Sequence, residues 1–306
     1  MKRLLLAVAA LVLALPALAF DHTYRAWDDL LKKHVRYVEN GNASRVSYAG
    51  FAKDHAALQA VLADFSKVPK AEFDGWAKPQ QQAFLINAYN AFTIEKILTR
   101  HPDIKSIRDF GTVFGNPWKD KFFTLFGEPF YLDRIEHEML RKDGVYDDPR
   151  VHVSVVCASI GCPMLRNEAF VAEKLDAQME DGMRRFLSDR TRNRYNPQSQ
   201  KLEVSKIFDW YGKDFEKGHK GFSSVKGAAA CHLRSAPTSL DWRRYGSVKA
   251  PVRLWPTCRS IHPTRAPRRV RSRRFALSLW PAAYPLPELR CITTTRMTRE
   301  RWQRSA

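Results

Sequence analysis

Two cysteines lie five positions apart in the stretch VHVSVVCASIGCPML, residues 151–165. Cys157 follows a run of apolar and β-branched residues that predicts a buried strand over about 151–156. A pair such as Cys157 and Cys162 supports four interpretations: a disulfide, a nucleophile with its neighbour, part of a metal site, or buried thiols that pack as small apolar side chains. Each interpretation makes a different demand on the surrounding elements.

A disulfide requires the chain to turn between the two cysteines. Five fully extended residues separate their ends by about 17 Å, whereas a bridge needs Cα atoms about 4.4–6.8 Å apart. Ser159 and Gly161 lie between the cysteines and permit a turn. Because the closed loop is short, we expect such a bridge to add only modest stability.

A cysteine nucleophile requires a base or a positive group that lowers the pKa of its thiol. The candidate catalytic residues are Cys157, His137, His152, Glu136, Asn87 and Asn90, with Arg141 and Ser159 in supporting positions. In a regular strand His152 and Cys157 point to opposite faces, so the chain must bend after the strand or His137 must serve as the base. The reaction would be acyl transfer or amide hydrolysis of cell-envelope material, although no known catalytic cysteine signature is present.

A zinc site is the third interpretation, with Cys157, Cys162, His137 and His152 as its four ligands. The C-x4-C spacing is loose and no second C-x2-C pair accompanies it. We therefore predict no metal and no cofactor.

The helix predicted over about 79–100 is apolar almost all round, which is typical of a helix inside a core. Asn87 and Asn90 are three positions apart on it and share one face. Buried amides need hydrogen-bond partners. The two side chains therefore either pin a nearby loop or orient a catalytic group.

A hairpin is predicted over 122–133, because apolar runs flank a Gly-Glu-Pro turn. Asp133 and Glu136 then have the spacing of a capping box at the start of a helix, which is a structural explanation for Glu136. His137 and Arg141 are four positions apart on that helix.

The remaining patterns predict further helices and a few strands. Amphipathic or apolar periods indicate helices over 23–38, 49–66 and 168–189, and residues 201–217 read as a short strand followed by a helix. Helices outnumber strands. We predict an α+β fold: a helix-rich single globular domain with a small sheet.

The N-terminal residues have the parts of a secretory signal. Lys2 and Arg3 precede an apolar run, and Ala17-Leu18-Ala19 matches a small-x-small cleavage site. The run is shorter than the roughly 20 residues that span a bilayer. We expect residues 1–19 to be removed and the protein to be periplasmic or secreted, where disulfides persist.

The formal charge of +19 comes mainly from the tail. Residues 221–306 hold 18 Lys and Arg against three Asp and Glu. Arg, Pro, Trp and Cys rise together there without helical period or strand alternation, which favours a frameshifted reading of a GC-rich gene over a nucleic-acid-binding tail. We expect residues 226–306 to be disordered or derived from such a frameshift.

Several ordered stretches of the body resemble DUF547, a bacterial domain family of unknown function. They include QQQAFLINAYNAFTIEKIL, PWKDKFFTLFGEPFYLDRIEHEMLR, DDPRVHVSVVCASIGCPMLR and VSKIFDWYGKDFE, and the resemblance covers residues 24–220. It implies an exported bacterial protein with a globular domain over 20–225, and it implies no reaction. Two functions stay open: a cysteine-dependent hydrolase or acyltransferase, and a non-catalytic binding or scaffold domain with a Cys157–Cys162 disulfide. The partner would be a small molecule, a peptide or envelope material, and neither nucleic acid nor a membrane span is expected; the oligomeric state stays open.

Overall fold

Helices make up most of the fold and the sheets are small, as the sequence predicts. The computed structural model describes residues 19–104, 107–110, 116–158, 161–196, 198, 201–219 and 289–292. The α-helices are α1 (Arg25–His34), α2 (Tyr48–Lys53), α3 (His55–Lys67), α4 (Lys70–Gly75), α5 (Lys78–Leu98), α6 (Leu175–Ser188), α7 (Ile207–Trp210) and α8 (Gly212–Phe215). The strands are β1 (Val35–Val38), β2 (Ala43–Val46), β3 (Phe123–Leu125), β4 (Glu128–Phe130), β5 (Arg194–Asn196), β6 (Lys201–Ser205) and β7 (Leu289–Ile292).

The other helical segments include a π-helix, Arg134–Leu140, and several short 3-10 helices. The 3-10 helices are Glu39–Gly41, Ile107–Phe110, Pro117–Lys119, Pro149–Val153 and Ala172–Lys174. The strands form antiparallel pairs β1–β2, β3–β4 and β5–β6, and β7 joins β6 in parallel. The β3–β4 hairpin confirms the turn predicted from the Gly-Glu-Pro sequence. Gly127 has a φ of 77°, which suits a residue without a side chain.

Helix α5 is the centre of the main core, as its apolar sequence predicts. From Gln81 to Ile94 every residue is buried, and α1, α3 and the β3–β4 hairpin supply the surrounding apolar side chains. Within the described residues, no helix combines the length and the apolar character needed to cross a bilayer.

A second, smaller core lies beside the main one. It joins Val153 to the inner face of α6 and to the segment from β6 to α8. Met183, Phe186, Phe208 and Phe215 are its largest members. This core brings the last described helices against the 3-10 helix Pro149–Val153.

The strand predicted over 151–156 is wrong, because the chain forms the 3-10 helix Pro149–Val153 there. The Asp148 side chain accepts a hydrogen bond from the Arg150 backbone N–H and begins that helix. Asn90 binds the Val156 N–H and the Ser154 carbonyl, each over 2.9 Å. Backbone groups that a strand would pair with a neighbour are thus satisfied by a side chain.

Three predicted helices differ from the observed ones at their ends. The first ends at His34 and continues as β1 rather than running to residue 38. The second is divided into α2 and α3, with Asp54 between them. Helix α6 starts at Leu175 and not near 168, because the backbone of Phe170 is bonded to Asn87 instead of to a helical turn.

Phe20 anchors the first described residues to the core. Its ring lies 5.2 Å from that of Phe84 and 5.4 Å from that of Trp76, between ring centroids. Its backbone N–H donates to Glu72 Oε1 over 3.4 Å. Residues 1–18 of the predicted signal 1–19, and all of the predicted tail 226–306 except β7, lie outside the described residues.

Candidate functional site around His152

A group of polar and aromatic side chains meets where the π-helix, the 3-10 helix Pro149–Val153 and helices α7 and α8 pack together. We call it the His152 cluster. Its members are Tyr89, Glu136, His137, Arg141, His152, Tyr211 and Asp214. Four of them were singled out from the sequence, whereas Tyr89, Tyr211 and Asp214 were not.

His152 is the buried centre of this cluster. Its side chain has no exposed surface, and its ring stacks on that of Tyr211 with 3.8 Å between centroids. Its Nε2 lies 2.8 Å from Asp214 Oδ2. Burial lowers the pKa of His152, although the bond to Asp214 opposes this shift. The ring is therefore neutral at pH 7, with its hydrogen on Nε2 and a lone pair on Nδ1.

Asp214 connects His152 to the protein surface. Arg141 Nε donates to the same Oδ2 over 2.6 Å, and Lys217 Nζ lies 3.4 Å from Oδ1. Burial alone would raise the pKa of Asp214, but the bonds from His152 and Arg141 hold it well below its usual range. Asp214 is therefore a carboxylate that fixes the orientation of the His152 ring.

His137 lies at the exposed edge of the cluster. Arg141 Nη1 donates to His137 Nδ1 over 2.6 Å, and the Arg141 guanidinium lies 4.8 Å from the ring centroid of Tyr211. The i, i+4 pair predicted from the sequence is thus formed. It orients Arg141 toward Asp214.

Glu136 does not complete the predicted capping box. Asp133 precedes the π-helix, but its side chain makes no cap hydrogen bond there. Glu136 is buried and instead accepts a hydrogen bond from the Tyr89 hydroxyl over 3.1 Å. Burial, together with the Glu136 carboxylate beside it, raises the pKa of Tyr211. The π-helical turn directs Glu136 inward, toward His152.

The contact between Glu136 and His152 has an uncommon polarity. Glu136 Oε1 lies 3.9 Å from His152 Nδ1, and that nitrogen is buried without a hydrogen-bond partner. Both atoms are acceptors when Glu136 is ionised and His152 is neutral. The pair therefore favours a donor placed between them, such as a hydroxyl group, a water molecule or an N–H group.

Cys157 and Cys162 form a disulfide, with Cα atoms 6.1 Å apart. Of the four interpretations, the disulfide is the one observed. Ser159, proposed to permit the turn between the cysteines, lies outside the described residues. The oxidised pair has no thiolate to act as a nucleophile or a zinc ligand. Among the described contacts, neither His137 nor His152 touches Cys157, and no group of three or more His, Cys, Asp or Glu is placed to hold a metal ion.

Asn87 and Asn90 pin two loops, which was the plainer of their two interpretations. Asn87 exchanges hydrogen bonds with the carbonyl and the N–H of Phe170, over 2.7 and 3.0 Å. Asn90 does the same with Ser154 and Val156. The amide oxygen and nitrogen of each side chain bind backbone groups of these loops.

The residues missed from the sequence lie far along the chain from His152. Asp214 is 62 positions away, and only the folding of α8 against the 3-10 helix brings it within 2.8 Å. Tyr89 reads as one more apolar residue of a buried helix. Its partner Glu136 could have been recognised as a buried acid, since a polar residue that faces a core requires a donor.

The comparisons with known proteins identify a family but no reaction. Residues 73–187 match the family described as "Protein of unknown function, DUF547". No curated protein and no solved structure matched the chain. The match includes α5, the π-helix, His152 and both cysteines, and it ends before Tyr211 and Asp214. Residues 73–187 of this chain are thus a DUF547 domain.

Proposed function

We propose that this protein is an exported DUF547 domain that binds hydroxyl-bearing material of the cell envelope non-covalently, through the His152 cluster. The observation that carries this choice is the Cys157–Cys162 disulfide. A hydrolase or acyltransferase that uses Cys157 needs a free thiolate, and the disulfide withholds it. The binding alternative needs no free thiol.

Two features support export. The N-terminal residues have the charged, apolar and small-residue parts of a cleavable signal. A disulfide persists in the periplasm or outside the cell, whereas cytosolic thiols are kept reduced. Expression of the full chain in a bacterial host, with intact-mass measurement of the periplasmic fraction, tests the proposal. We expect a chain that starts at Phe20; a chain that retains Met1 and stays in the cytosol would contradict export.

The ligand chemistry follows from the acceptor pair. Glu136 Oε1 and His152 Nδ1 together suit one donor, and sugar hydroxyl groups are donors that envelope polymers carry in large numbers. Trp210, which precedes Tyr211 in the chain, is exposed, and its ring suits the flat apolar side of a sugar ring.

Co-sedimentation with purified peptidoglycan tests the binding site. Tyr211→Leu removes the ring that covers His152, and His152→Gln replaces the imidazole that supplies the acceptor Nδ1. We expect each variant to bind peptidoglycan about tenfold more weakly or less well still, since a buried protein acceptor would lose its hydrogen bond to the ligand. His55→Gln is the matched control, because His55 is exposed and contacts Glu95, away from the cluster. Equal binding by all three variants and the unmodified protein would contradict the site.

A thiol-reactive probe distinguishes binding from cysteine catalysis. We expect no labelling of Cys157 in the native protein at neutral pH and full labelling after reduction. Selective labelling of native Cys157 that His137→Ala or His152→Ala abolishes would instead establish the cysteine-dependent enzyme.

A further inference from the structure

The two sulfurs of the Cys157–Cys162 disulfide are unequally accessible. Cys157 is half-buried, whereas Cys162 is buried, with 8% of its surface exposed. A thiolate that approaches from solvent therefore meets Cys157 first. Thiol–disulfide exchange depends on which sulfur can be attacked as well as on the attacking thiol.

The buried sulfur has a hydrogen-bond donor. The Cys157 backbone N–H donates to Cys162 Sγ over 3.3 Å. When a thiol attacks Cys157, the S–S bond breaks and its electron pair goes to Cys162. A donor already aimed at that sulfur favours the departing thiolate, because a hydrogen bond to the charged form stabilises it.

The segments on either side of the bridge are held without it. Asn90 fixes Ser154 and Val156 before the first cysteine, and Met164 and Leu165 are buried after the second. A bridge across so short a loop also removes little entropy from the unfolded chain. Opening the disulfide should therefore leave the fold intact.

We propose that Cys157 and Cys162 form a redox couple that oxidises dithiols in peptides or unfolded proteins. A substrate thiolate attacks Cys157 Sγ to form a mixed disulfide, and Cys162 leaves as a thiolate that takes up a proton. The second substrate thiol then loses its proton and attacks the substrate sulfur of the mixed disulfide, which releases Cys157. Two electrons and two protons pass from the substrate, which becomes a disulfide, to the protein, which becomes a dithiol.

This activity goes beyond ligand binding and uses different residues. The redox couple consists of Cys157 and Cys162, whereas the proposed donor site consists of Glu136 and His152. Exchange is measured on purified protein, so a failure of export or of peptidoglycan binding leaves it standing. Likewise, a failure of the exchange experiment would leave the proposed export and peptidoglycan binding standing.

The first experiment mixes the oxidised full chain with a reduced synthetic peptide that contains two cysteines. We expect one peptide disulfide to form for each protein disulfide lost, by mass spectrometry. Near-UV circular dichroism of the reduced protein should match that of the oxidised protein. A peptide that stays reduced, or a protein that loses its tertiary signal on reduction, would show the bridge to be structural.

The second experiment compares two matched variants, Cys162→Ser and Cys157→Ser, with oxidised glutathione as the probe. Each variant keeps one thiol of the pair, so the two reaction rates compare the accessibility of Cys157 with that of Cys162. We expect Cys157 in the first variant to form a mixed disulfide at least about tenfold faster than Cys162 in the second. Equal rates in two variants that remain folded would overturn the proposal.

Discussion

His152 shows how the environment of a single residue sets its charge. Its side chain is excluded from water, so protonation would bury a second charge beside Arg141. The Asp214 carboxylate opposes this but is itself neutralised by Arg141 and Lys217. His152 is therefore held neutral and oriented, with one nitrogen left to accept.

We predict that the His152 ring titrates below the ordinary value of about 6.5. The unfolded chain binds this proton first as the pH falls, so the free energy of unfolding decreases below about pH 6.5 until folded His152 is protonated. Proton–carbon NMR of the histidine rings, assigned with His152→Gln, measures the midpoint. A midpoint at or above 6.5 would refute the neutral, acceptor form.

The sequence does not show whether Asn90 binds a loop or orients a catalytic group. The spacing from Asn87 predicts that both amides share a face of α5, but their partners are backbone groups that lie more than 60 positions away. Sequence reasoning could state that buried amides need partners. It could not say whether a loop or a histidine would supply them.

We predict that Asn90→Ala lowers the free energy of unfolding by roughly 2–4 kcal/mol, because it leaves one buried N–H and one buried carbonyl without partners. Urea denaturation measures the change. Gln59→Ala is the control, since Gln59 is exposed and its described hydrogen bond is to the neighbouring His55; we expect a change within about 0.5 kcal/mol there. Similar losses in both variants would contradict the role assigned to Asn90.

At the scale of elements, the sequence correctly predicts the helices and turns that are specified by neighbouring residues alone. The apolar run of α5 and the Gly-Glu-Pro turn of the hairpin need no distant partner to be recognised, and both are confirmed. The segment VHVSVV has the composition of a strand, yet no described strand lies beside it and Asn90 takes its backbone groups. Strand formation depends on a partner edge, which composition does not reveal.

Helix α6 is tied to its surroundings by a network around Asp181. Arg166, Arg184 and Arg185 all donate to its carboxylate. Burial would raise the pKa of Asp181, but these three guanidinium groups outweigh it and lower the pKa to about 2. The ionised form is therefore bound more strongly in the folded protein than in the unfolded chain.

We predict that this network is lost in acid. The stabilisation by Asp181 is complete above the ordinary carboxyl pKa of about 4 and disappears as the pH falls toward 2; it amounts to about 2 kcal/mol. Asp181→Asn should therefore destabilise the protein at pH 6 and much less at pH 2.5, in urea titrations at both values. Glu216→Gln is the control for an exposed carboxylate. An equal deficit at both pH values would contradict the assignment.

At the scale of the whole molecule, the folded body extends beyond the DUF547 match. Phe186, within the match, packs on Phe208 outside it, and His152 depends on Asp214. On the other side, α1 and α3 cover the buried face of α5. The matched segment alone would expose apolar surface on both sides.

We predict that a fragment of residues 73–187 does not fold, whereas residues 20–219 do. The shorter fragment lacks the partners of both cores, so its apolar burial cannot offset the entropy of ordering the chain. Thermal unfolding by circular dichroism and limited proteolysis compare the two fragments. A cooperative transition in the shorter one would show that the domain is complete within 73–187.

Removal of the predicted signal would also change the chemistry at Phe20. After cleavage the nitrogen that faces Glu72 would be an ammonium group, and its bond would become an ion pair. We expect Glu72→Gln to destabilise the cleaved protein by up to about 1 kcal/mol and a chain with residues added before Phe20 by less, in paired thermal melts. Equal effects in both chains would contradict this.

We expect the contact between Phe20 and Glu72 to couple cleavage of the predicted signal to completion of the fold. A chain that is still joined to its predicted leader carries a neutral amide at Phe20 and lacks the ion pair with Glu72, so we expect its N-terminal segment to dock less firmly. Cleavage at the predicted site would then be the step that completes the docking of this segment on the core.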